Sequence, residues 1–183
     1  MQPRLFNHQS GYTLIELLLA ITLVTILTGF TMSGLLSINK HRELQNEVQE
    51  LADALKQTQN LALGGVQSGS SFVNEYRLQF TQETGDPDDF YRGYQIERLD
   101  DTGTLIEPVL QTQTLACAMC VSSTTDNFTF LVPAGVTTGL PDNPTSLSIC
   151  YPSIGEQSVS VDQSGRVQIG TVQASSCTCP FGC

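Results

Sequence analysis

Glu16 is the residue whose surroundings most clearly require chemistry, because it is a carboxylate inside an apolar run. The run extends from Gly11 to Ile38, and from Leu17 to Ile38 it contains neither a charge nor a proline. A carboxylate in lipid costs about 2.5–3.5 kcal/mol, so it marks a function and needs a cationic partner. Cleavage of the chain after Gly11 would create such a cation, the α-amino group of Tyr12, close in sequence to Glu16.

The cysteines form a second set of reactive residues, and all of them follow residue 116: Cys117, Cys120, Cys150, Cys177, Cys179 and Cys183. An even number of cysteines in an exported domain predicts disulfides, although the spacing does not choose among the fifteen possible pairings of six cysteines. The Cys117-Ala-Met-Cys120 segment also fits a redox pair or half of a metal site. A zinc site would need thiolates alone, because His8 and His41 lie far from this region. We therefore predict disulfides and no metal.

Catalysis and nucleic-acid binding find little support in the composition. The distal part of the chain has no histidine to activate a serine or cysteine and no glycine-rich phosphate loop, so we predict no enzyme and no cofactor. With 18 acidic and 8 basic residues the net charge is −10, which disfavours contact with phosphate backbones. The acidic clusters at 86–89 and 100–101 are predicted to be solvated turns. A calcium site at Asp86, Asp88 and Asp89 is the alternative.

The apolar run predicts the first half of a long helix. Its 22 uncharged residues span roughly 33 Å at about 1.5 Å per residue, enough to cross a bilayer core. We therefore predict a transmembrane segment at 12–38. Four threonines recur every three residues in this segment: Thr22, Thr25, Thr28 and Thr31. Their hydroxyl groups either form a polar seam toward neighbouring helices or, as we favour, donate to backbone carbonyls of their own helix.

An amphipathic continuation of this helix is predicted at 39–64. One apolar stripe recurs at helical spacing, with a threonine filling its gap: Leu44, Val48, Leu51, Leu55, Thr58 and Ala62. The Gly64-Gly65 pair ends the pattern. The whole is a helix of about 50 residues whose second half packs on the protein's own sheet.

After residue 71 the apolar period changes from helical to two, which predicts antiparallel strands with one face on the helix. The alternation covers 76–80, 94–97, 128–132, 147–149, 159–161 and 167–169. Turn signals lie between them at 84–89, 101–103, 133–135 and 163–165. We predict an α+β protein with a β-rich domain at 65–183, whose cysteine-rich tail from Ser175 to Cys183 is stapled to the sheet.

The segment Gly11-Tyr-Thr-Leu-Ile-Glu16 resembles the prepilin cleavage site of type IV pilins and type II secretion pseudopilins. In that family a membrane peptidase cuts after the glycine and methylates the new amine, which pairs with the acid of a neighbouring subunit. The resemblance implies a leader at 1–11, a cut between Gly11 and Tyr12, methylation of Tyr12 and an assembly role for Glu16. Tyr12 departs from the usual phenylalanine but keeps the aromatic ring.

The distal order of segments is similar to the GspH/FimT branch of pilin-like proteins. The matching segments are 128–135, 146–151 and 159–169, the last with a Ser-Gly-Arg turn. The resemblance implies a pilin-like fold and a non-enzymatic minor pilin or minor pseudopilin at or near a filament tip. A filament-displayed adhesin or DNA-uptake receptor is the alternative. Arg166 is the single cation of the last turn, which makes it a possible ligand residue but argues against nucleic acid as a partner.

The same resemblance implies the partners and the location. The partners are other pilin or pseudopilin subunits, the prepilin peptidase and an inner-membrane assembly platform. The chain is expected to cross the inner membrane once, with its C-terminal domain in the periplasm, before it enters a periplasmic pseudopilus or an extracellular pilus. The residues do not distinguish a pilus from a secretion system.

Overall fold

The computed structural model describes residues 12–65, 67–68, 71–82, 90–106, 108–116, 119–123, 125–138, 144–152, 154–175, 177 and 179. Of residues 30–36, 67–68 and 71 it describes only the backbone. The chain divides into two compact units, one ending at Asn39 and one beginning at Lys40.

Helix α1 runs from Leu14 to Gly64 and contains 51 residues, as the sequence predicts. It has no internal proline and is rich in leucine, which favours helical backbone. Gly65 follows with a φ of 57°, the left-handed conformation that ends many helices and that glycine adopts without steric cost.

The second half of α1 buries the predicted stripe in the unit that begins at Lys40. Leu44, Leu51 and Leu55 are fully buried, as is the Thr58 side chain. The Thr58 hydroxyl donates to the Ala54 carbonyl at 2.7 Å, so this polar position in the stripe is satisfied within the helix. The stripe prediction is confirmed.

The described strands form a short hairpin and two five-stranded antiparallel sheets. They are β1 (Gln67–Ser68), β2 (Ser71–Phe72), β3 (Glu75–Thr81), β4 (Phe90–Tyr91), β5 (Gly93–Leu99), β6 (Gln111–Thr114), β7 (Cys120–Ser123), β8 (Asn127–Leu131), β9 (Thr137–Thr138), β10 (Thr145–Tyr151), β11 (Gly155–Val161) and β12 (Val167–Gln173). The first sheet has the order β6-β5-β3-β8-β9, and the second has the order β12-β11-β10-β7-β4.

All six predicted strands are present, as β3, β5, β8, β10, β11 and β12. The other six strands have four residues or fewer, too short for alternation to reveal them. The expectation that every predicted strand is half-buried is wrong for β12, which lies at the edge of the second sheet. Val167 and Val172 pack partly against the core, whereas Ile169 is 39% exposed.

A single core joins the second half of α1 to the inner faces of both sheets. The largest fully buried side chains come from all three elements: Tyr76, Tyr94, Phe128, Phe130, Leu44, Leu51, Leu55, Leu78, Ile96, Leu147, Ile149 and Val48. Burial of one such side chain is worth about 1.5–3 kcal/mol, so this core holds the two sheets on the helix.

Gln59 of α1 connects the helix to two turns that are distant in sequence. Its Nε2 donates to the Gly135 carbonyl at 3.1 Å and to the Ser164 carbonyl at 3.0 Å. Gly135 and Gly165 both have positive φ, and a Cβ at Gly165 would collide with the Gln59 amide. The glycines of these two predicted turns are therefore required by both backbone conformation and close approach to α1.

Candidate assembly site

The first turn of α1 places Glu16 at a helix N-terminus. Thr13 directly precedes the helix, and its carbonyl accepts from the backbone N–H groups of Glu16 at 3.1 Å and Leu17 at 3.2 Å. The Thr13 hydroxyl also accepts from the Glu16 N–H at 3.4 Å. Thr13 is thus the N-cap, and an acid in the first turn lies where the helix dipole favours negative charge.

Glu16 has no cationic partner in the part of the chain that the structure describes. Its side chain is exposed, and the ion pairs found among the described residues involve other acids. Tyr12 is 84% exposed and lies just outside the helix. Gly11, the other residue of the predicted cut, lies outside the described residues. The carboxylate is therefore available to a group on another molecule.

The first half of α1 presents apolar side chains on every side. The large exposed hydrophobic residues are Leu14, Ile15, Leu17, Leu18, Leu19, Ile21, Leu23, Val24, Ile26 and Leu27, each more than half exposed. A helix that is apolar all round is normally buried, either in protein or in lipid. Every side chain from 12 to 29 is exposed, so the described part of the chain does not cover this half of the helix.

The threonines of this half bond back to their own helix, as we favoured from the sequence. Thr22 donates to the Leu19 carbonyl at 2.9 Å, and Thr25 donates to the Thr22 carbonyl at 2.9 Å. Thr28 donates to the Val24 carbonyl at 2.6 Å. The side chain of Thr31 lies outside the described residues. These hydroxyls are satisfied internally, so the exposed surface remains apolar.

Among the described residues, no helix contains a stretch that is both long enough and apolar enough to span a membrane. The predicted transmembrane segment therefore stays a prediction.

Four of the six cysteines form two disulfides that hold the tail on the second sheet. Cys120 of β7 is bonded to Cys179, and Cys150 of β10 is bonded to Cys177. The prediction of a stapled tail is confirmed for these pairs, and the redox pair of Cys120 with Cys117 is wrong because Cys120 bonds elsewhere. Cys117 and Cys183 lie outside the described residues.

The sulfur atoms of Cys120, Cys150 and Cys179 lie within 4.8 Å of one another, a spacing that would suit a metal ion. All three belong to the two disulfides, so they offer no thiolate, the form in which cysteine binds metal. The close approach instead follows from the register, because Cys120 and Cys150 are direct partners across β7 and β10.

Arg166 lies in a tight turn that already engages an acid. Asp162 accepts at Oδ1 from the Ser164 hydroxyl at 2.6 Å and from the Arg166 backbone N–H at 2.9 Å. These hydrogen bonds, with a smaller contribution from the Arg166 charge, lower the pKa of Asp162. The Arg166 side chain is exposed, but the neighbouring carboxylate offsets its charge, which weakens it as a contact for an anion.

The acidic segment at 100–101 is a turn, as predicted. Asp100 accepts from the Thr102 hydroxyl and from the backbone N–H groups of Thr102 and Thr104, all within 2.9 Å. These hydrogen bonds lower the pKa of Asp100. The alternative calcium site at Asp86, Asp88 and Asp89 lies outside the described residues.

A second acidic region, between α1 and β6, is satisfied by neighbouring side chains. The groove has a volume of about 230 Å³ and includes Glu50, Asp53 and Tyr94. Gln113 donates to Glu50, and Gln49 donates to Asp53. Burial, followed by repulsion from the nearby acids, raises the pKa of Tyr94 to about 12, so this phenol stays protonated. Since the carboxylates of Glu50 and Asp53 already accept hydrogen bonds from described side chains, nothing in this groove indicates a bound cation.

Comparison with known proteins gives independent support for the N-terminal site and the fold. Residues 6–32 match the family described as the prokaryotic N-terminal methylation motif. The structure is similar to the type IV minor pilin FimU of Pseudomonas aeruginosa strain PAO1 in two crystal forms. For the P21 form the TM-score is 0.53 at 19% identity, covering 79% of this chain and 98% of FimU. For the P65 form the TM-score is 0.51 at 19% identity, covering 75% and 98%.

No curated protein matches the chain. The two findings nevertheless agree, one on the N-terminal segment and the other on the fold. The chain carries a prepilin-type methylation motif on a type IV pilin-like α+β fold. The predicted fold class and family resemblance are thereby confirmed.

Two residues that organise these features, Thr13 and Gln59, were not predicted from the sequence. Thr13 with Glu16 forms the Thr-x-x-Glu spacing of a capping box, a signal that was readable in the sequence. Gln59 carries no such signal, because its role depends on two turns that meet only in the fold. Glu16 is also an acid in the first turn of the helix, where the helix dipole favours negative charge.

Proposed function

We propose that the chain is a minor pilin, a structural subunit that joins a type IV pilus through the first half of α1. The observation that carries the proposal is the uncovered apolar surface of residues 12–29, which contains a carboxylate without a cation among the described residues. A surface of this kind is stable in lipid before assembly and among the helices of other subunits afterwards.

Processing supplies the missing cation in this proposal. Prepilin peptidase cleaves between Gly11 and Tyr12 and methylates the new amino group of Tyr12, which remains positively charged. The Glu16 carboxylate of one subunit then pairs with the amino group of a neighbour. Pairing removes the cost of an isolated carboxylate in an apolar environment, about 2.5–3.5 kcal/mol, and so favours the assembled state.

The proposal also includes the location of the chain before assembly and its position in the filament. Before assembly, residues 12–38 cross the inner membrane and the domain beyond Lys40 lies in the periplasm, in contact with an assembly platform. The preference for a pilus over a pseudopilus, and for a position at or near the tip, is supported by the similarity to a minor pilin. The role is structural rather than catalytic.

Replacement of Glu16 tests the pairing. We expect Glu16→Ala and Glu16→Gln to be processed normally but to lower the amount of the chain in sheared filaments by about 100-fold, because the neighbour's charged amino group would be left without a counter-charge in an apolar environment. The measurement is quantitative immunoblotting of the filament and membrane fractions. Glu16→Gln retains the size of the side chain, so its defect isolates the charge.

Glu43→Ala is the matched control, because Glu43 is an exposed acid of the same helix outside the apolar half. It should enter filaments at the wild-type level. Wild-type incorporation of Glu16→Ala would contradict the pairing, and detection of the wild-type chain only in the membrane fraction would contradict filament membership itself.

A further inference from the structure

A groove of about 570 Å³ lies on the second sheet, and its lining contains no residue of the N-terminal site. Its volume falls within the range of about 300–1,000 Å³ that small-molecule sites occupy. The residues that matter for its chemistry are Phe90, Ser122, Ser148, Glu156, Ser158 and Thr171. Most of these side chains are short and polar, so the groove is a depression lined by hydroxyl groups.

The hydroxyl groups form a row because of the strand register. Ser148 of β10 pairs with Ser122 of β7 on one side and with Ser158 of β11 on the other. Phe90 of β4 pairs with Ser122 and ends the row with an aromatic ring. Side chains of directly paired residues lie on the same face of a sheet, so three serines and one phenylalanine share this surface.

Gly170 of β12 lies against Ser158 at the other end of the row. A Cβ at this position would collide with the Ser158 hydroxyl, so a larger residue would require the Ser158 side chain to move. The backbone is irregular at the same place, where the register shifts between Gln157 and Val159. A glycine at a bulge within a strand is typical of close approach by a backbone or a ligand.

The disulfides hold the tail beside this row. Cys120 and Cys150 are two residues from Ser122 and Ser148 along their strands, so they lie on the same face of the sheet. Their bonds to Cys179 and Cys177 pin the tail over that part of the face. Next to the part of the face that carries these bonds, the serine row lines the groove.

The hydrogen-bonding capacity of the groove is largely unused within the described part of the chain. The Ser148 hydroxyl donates to Glu156 Oε2 at the long distance of 3.4 Å. The side chains of Ser122, Ser158 and Thr171 form no hydrogen bond with another described residue. The groove thus offers both donors and acceptors to a ligand.

Charge and polarity identify the kind of ligand. Among the described residues that line the groove there is no lysine or arginine, and the chain carries a net charge of −10, so an anion would be repelled. Glu156 is the single carboxylate among the same lining residues, too few for a divalent cation. A neutral ligand rich in hydroxyl groups, with one apolar face, matches the lining.

We propose that this groove binds a neutral saccharide. Glu156 would accept hydrogen bonds from adjacent sugar hydroxyls, and the serines would donate to or accept from the remaining ones. Phe90 would contact the C–H face of the ring. A saccharide site would make the chain a filament-displayed binding module as well as a structural subunit. The site does not depend on filament membership, because its residues belong to one chain.

The test is calorimetric titration of the full chain in amine-oxide micelles, since maltoside detergents would compete with the ligand. The probes are maltotriose, mannotriose, chitotriose and N-acetyllactosamine. We expect at least one to bind saturably at one site per chain. Phe90→Ala should weaken that binding by about 10-fold or more. Ser148→Ala should weaken it by about 2- to 10-fold, the value of one hydrogen bond.

Ser160→Ala is the matched control, because Ser160 lies two residues from Ser158 on the same strand but does not line the groove. It should bind like the wild type, and equal thermal unfolding of all variants will show that they fold. The proposal would be overturned if no probe bound saturably. It would also be overturned if Phe90→Ala and Ser148→Ala both bound the saccharide as tightly as the wild type does. Glu16→Ala should retain saccharide binding, which separates failure of this inference from failure of filament assembly.

Discussion

The two halves of α1 have the same backbone but opposite surroundings. Up to residue 29 the described side chains are exposed, although most are large and apolar. In the second half, most apolar residues lie in one stripe and are buried against both sheets, as Leu44, Leu51 and Leu55 illustrate. Glutamates, glutamines and asparagine occupy much of the remaining surface of that half.

This difference shows that hydrophobicity alone does not determine what a helix does. The second half is amphipathic because its partner, the sheet domain, covers only one side. The first half is apolar all round, which fits the proposed function, in which lipid and then neighbouring helices would cover all its sides. One half therefore specifies the fold of the domain, and the other half specifies its surroundings.

The largest effect on this comparison should come from leucine truncation in each half. Leu51→Ala removes a fully buried side chain and should lower the free energy of unfolding by about 2–5 kcal/mol. Leu23→Ala removes a side chain that is 54% exposed and should change the free energy of unfolding by less than about 0.5 kcal/mol. Chemical unfolding followed by circular dichroism suits a protein without tryptophan. Equal effects of the two changes would contradict the division of the helix.

The second-largest effect should come from removing a disulfide of the domain. Cys150→Ala with Cys177→Ala opens a bond that joins residues 27 apart in sequence. A loop of this length corresponds to about 2–4 kcal/mol of stability, through the entropy of the unfolded chain. The same unfolding assay measures the loss, and incorporation of the folded fraction into filaments should be unchanged. A loss of incorporation at full stability would place the tail in a subunit interface instead.

A smaller effect is expected from Gln59, which ties the end of α1 to two turns. Gln59→Leu leaves the Gly135 and Ser164 carbonyls without their donor and should destabilise the domain by about 1–3 kcal/mol. Gln57→Leu is the control, because Gln57 is an exposed glutamine of the same helix. If both variants unfold alike, the contact of the turns with the helix does not depend on Gln59.

The smallest effect is expected at the helix start. Thr13→Ala removes the hydroxyl that accepts from the Glu16 N–H and should weaken the first turn by about 0.5–2 kcal/mol. Amide exchange at Glu16 should accelerate by about 2- to 30-fold, while exchange at Leu51 stays unchanged. Thr13→Ser, which keeps the hydroxyl, should exchange like the wild type. Unaltered exchange in Thr13→Ala would show that the cap is not used.

Patterns that extend over many residues made most of the fold predictable. The stripe from Leu44 to Ala62 and the alternation in β3, β8, β10 and β11 each repeat often enough to exceed chance. The short strands were missed for the opposite reason. The β6 sequence Gln-Thr-Gln-Thr has no apolar residue at all, because an edge strand needs only backbone pairing to join a sheet.

The candidate sites were predictable only where their residues are neighbours in sequence. Glu16 and the cleavage segment form one short motif, so both were visible. The pairing of Cys120 with Cys179 depends on the register of β7 beside β10, which no cysteine spacing encodes. The serine row depends on the same register, with members from three strands. Such sites emerge only when the strands are placed.

The most direct test of the account is the mass of the N-terminal peptide of the chain recovered from sheared filaments. We expect a peptide that begins at Tyr12 and carries one added methyl group on its amino nitrogen. A filament-borne chain that begins at Met1 would lack the amine near Glu16 and would contradict the proposed pairing.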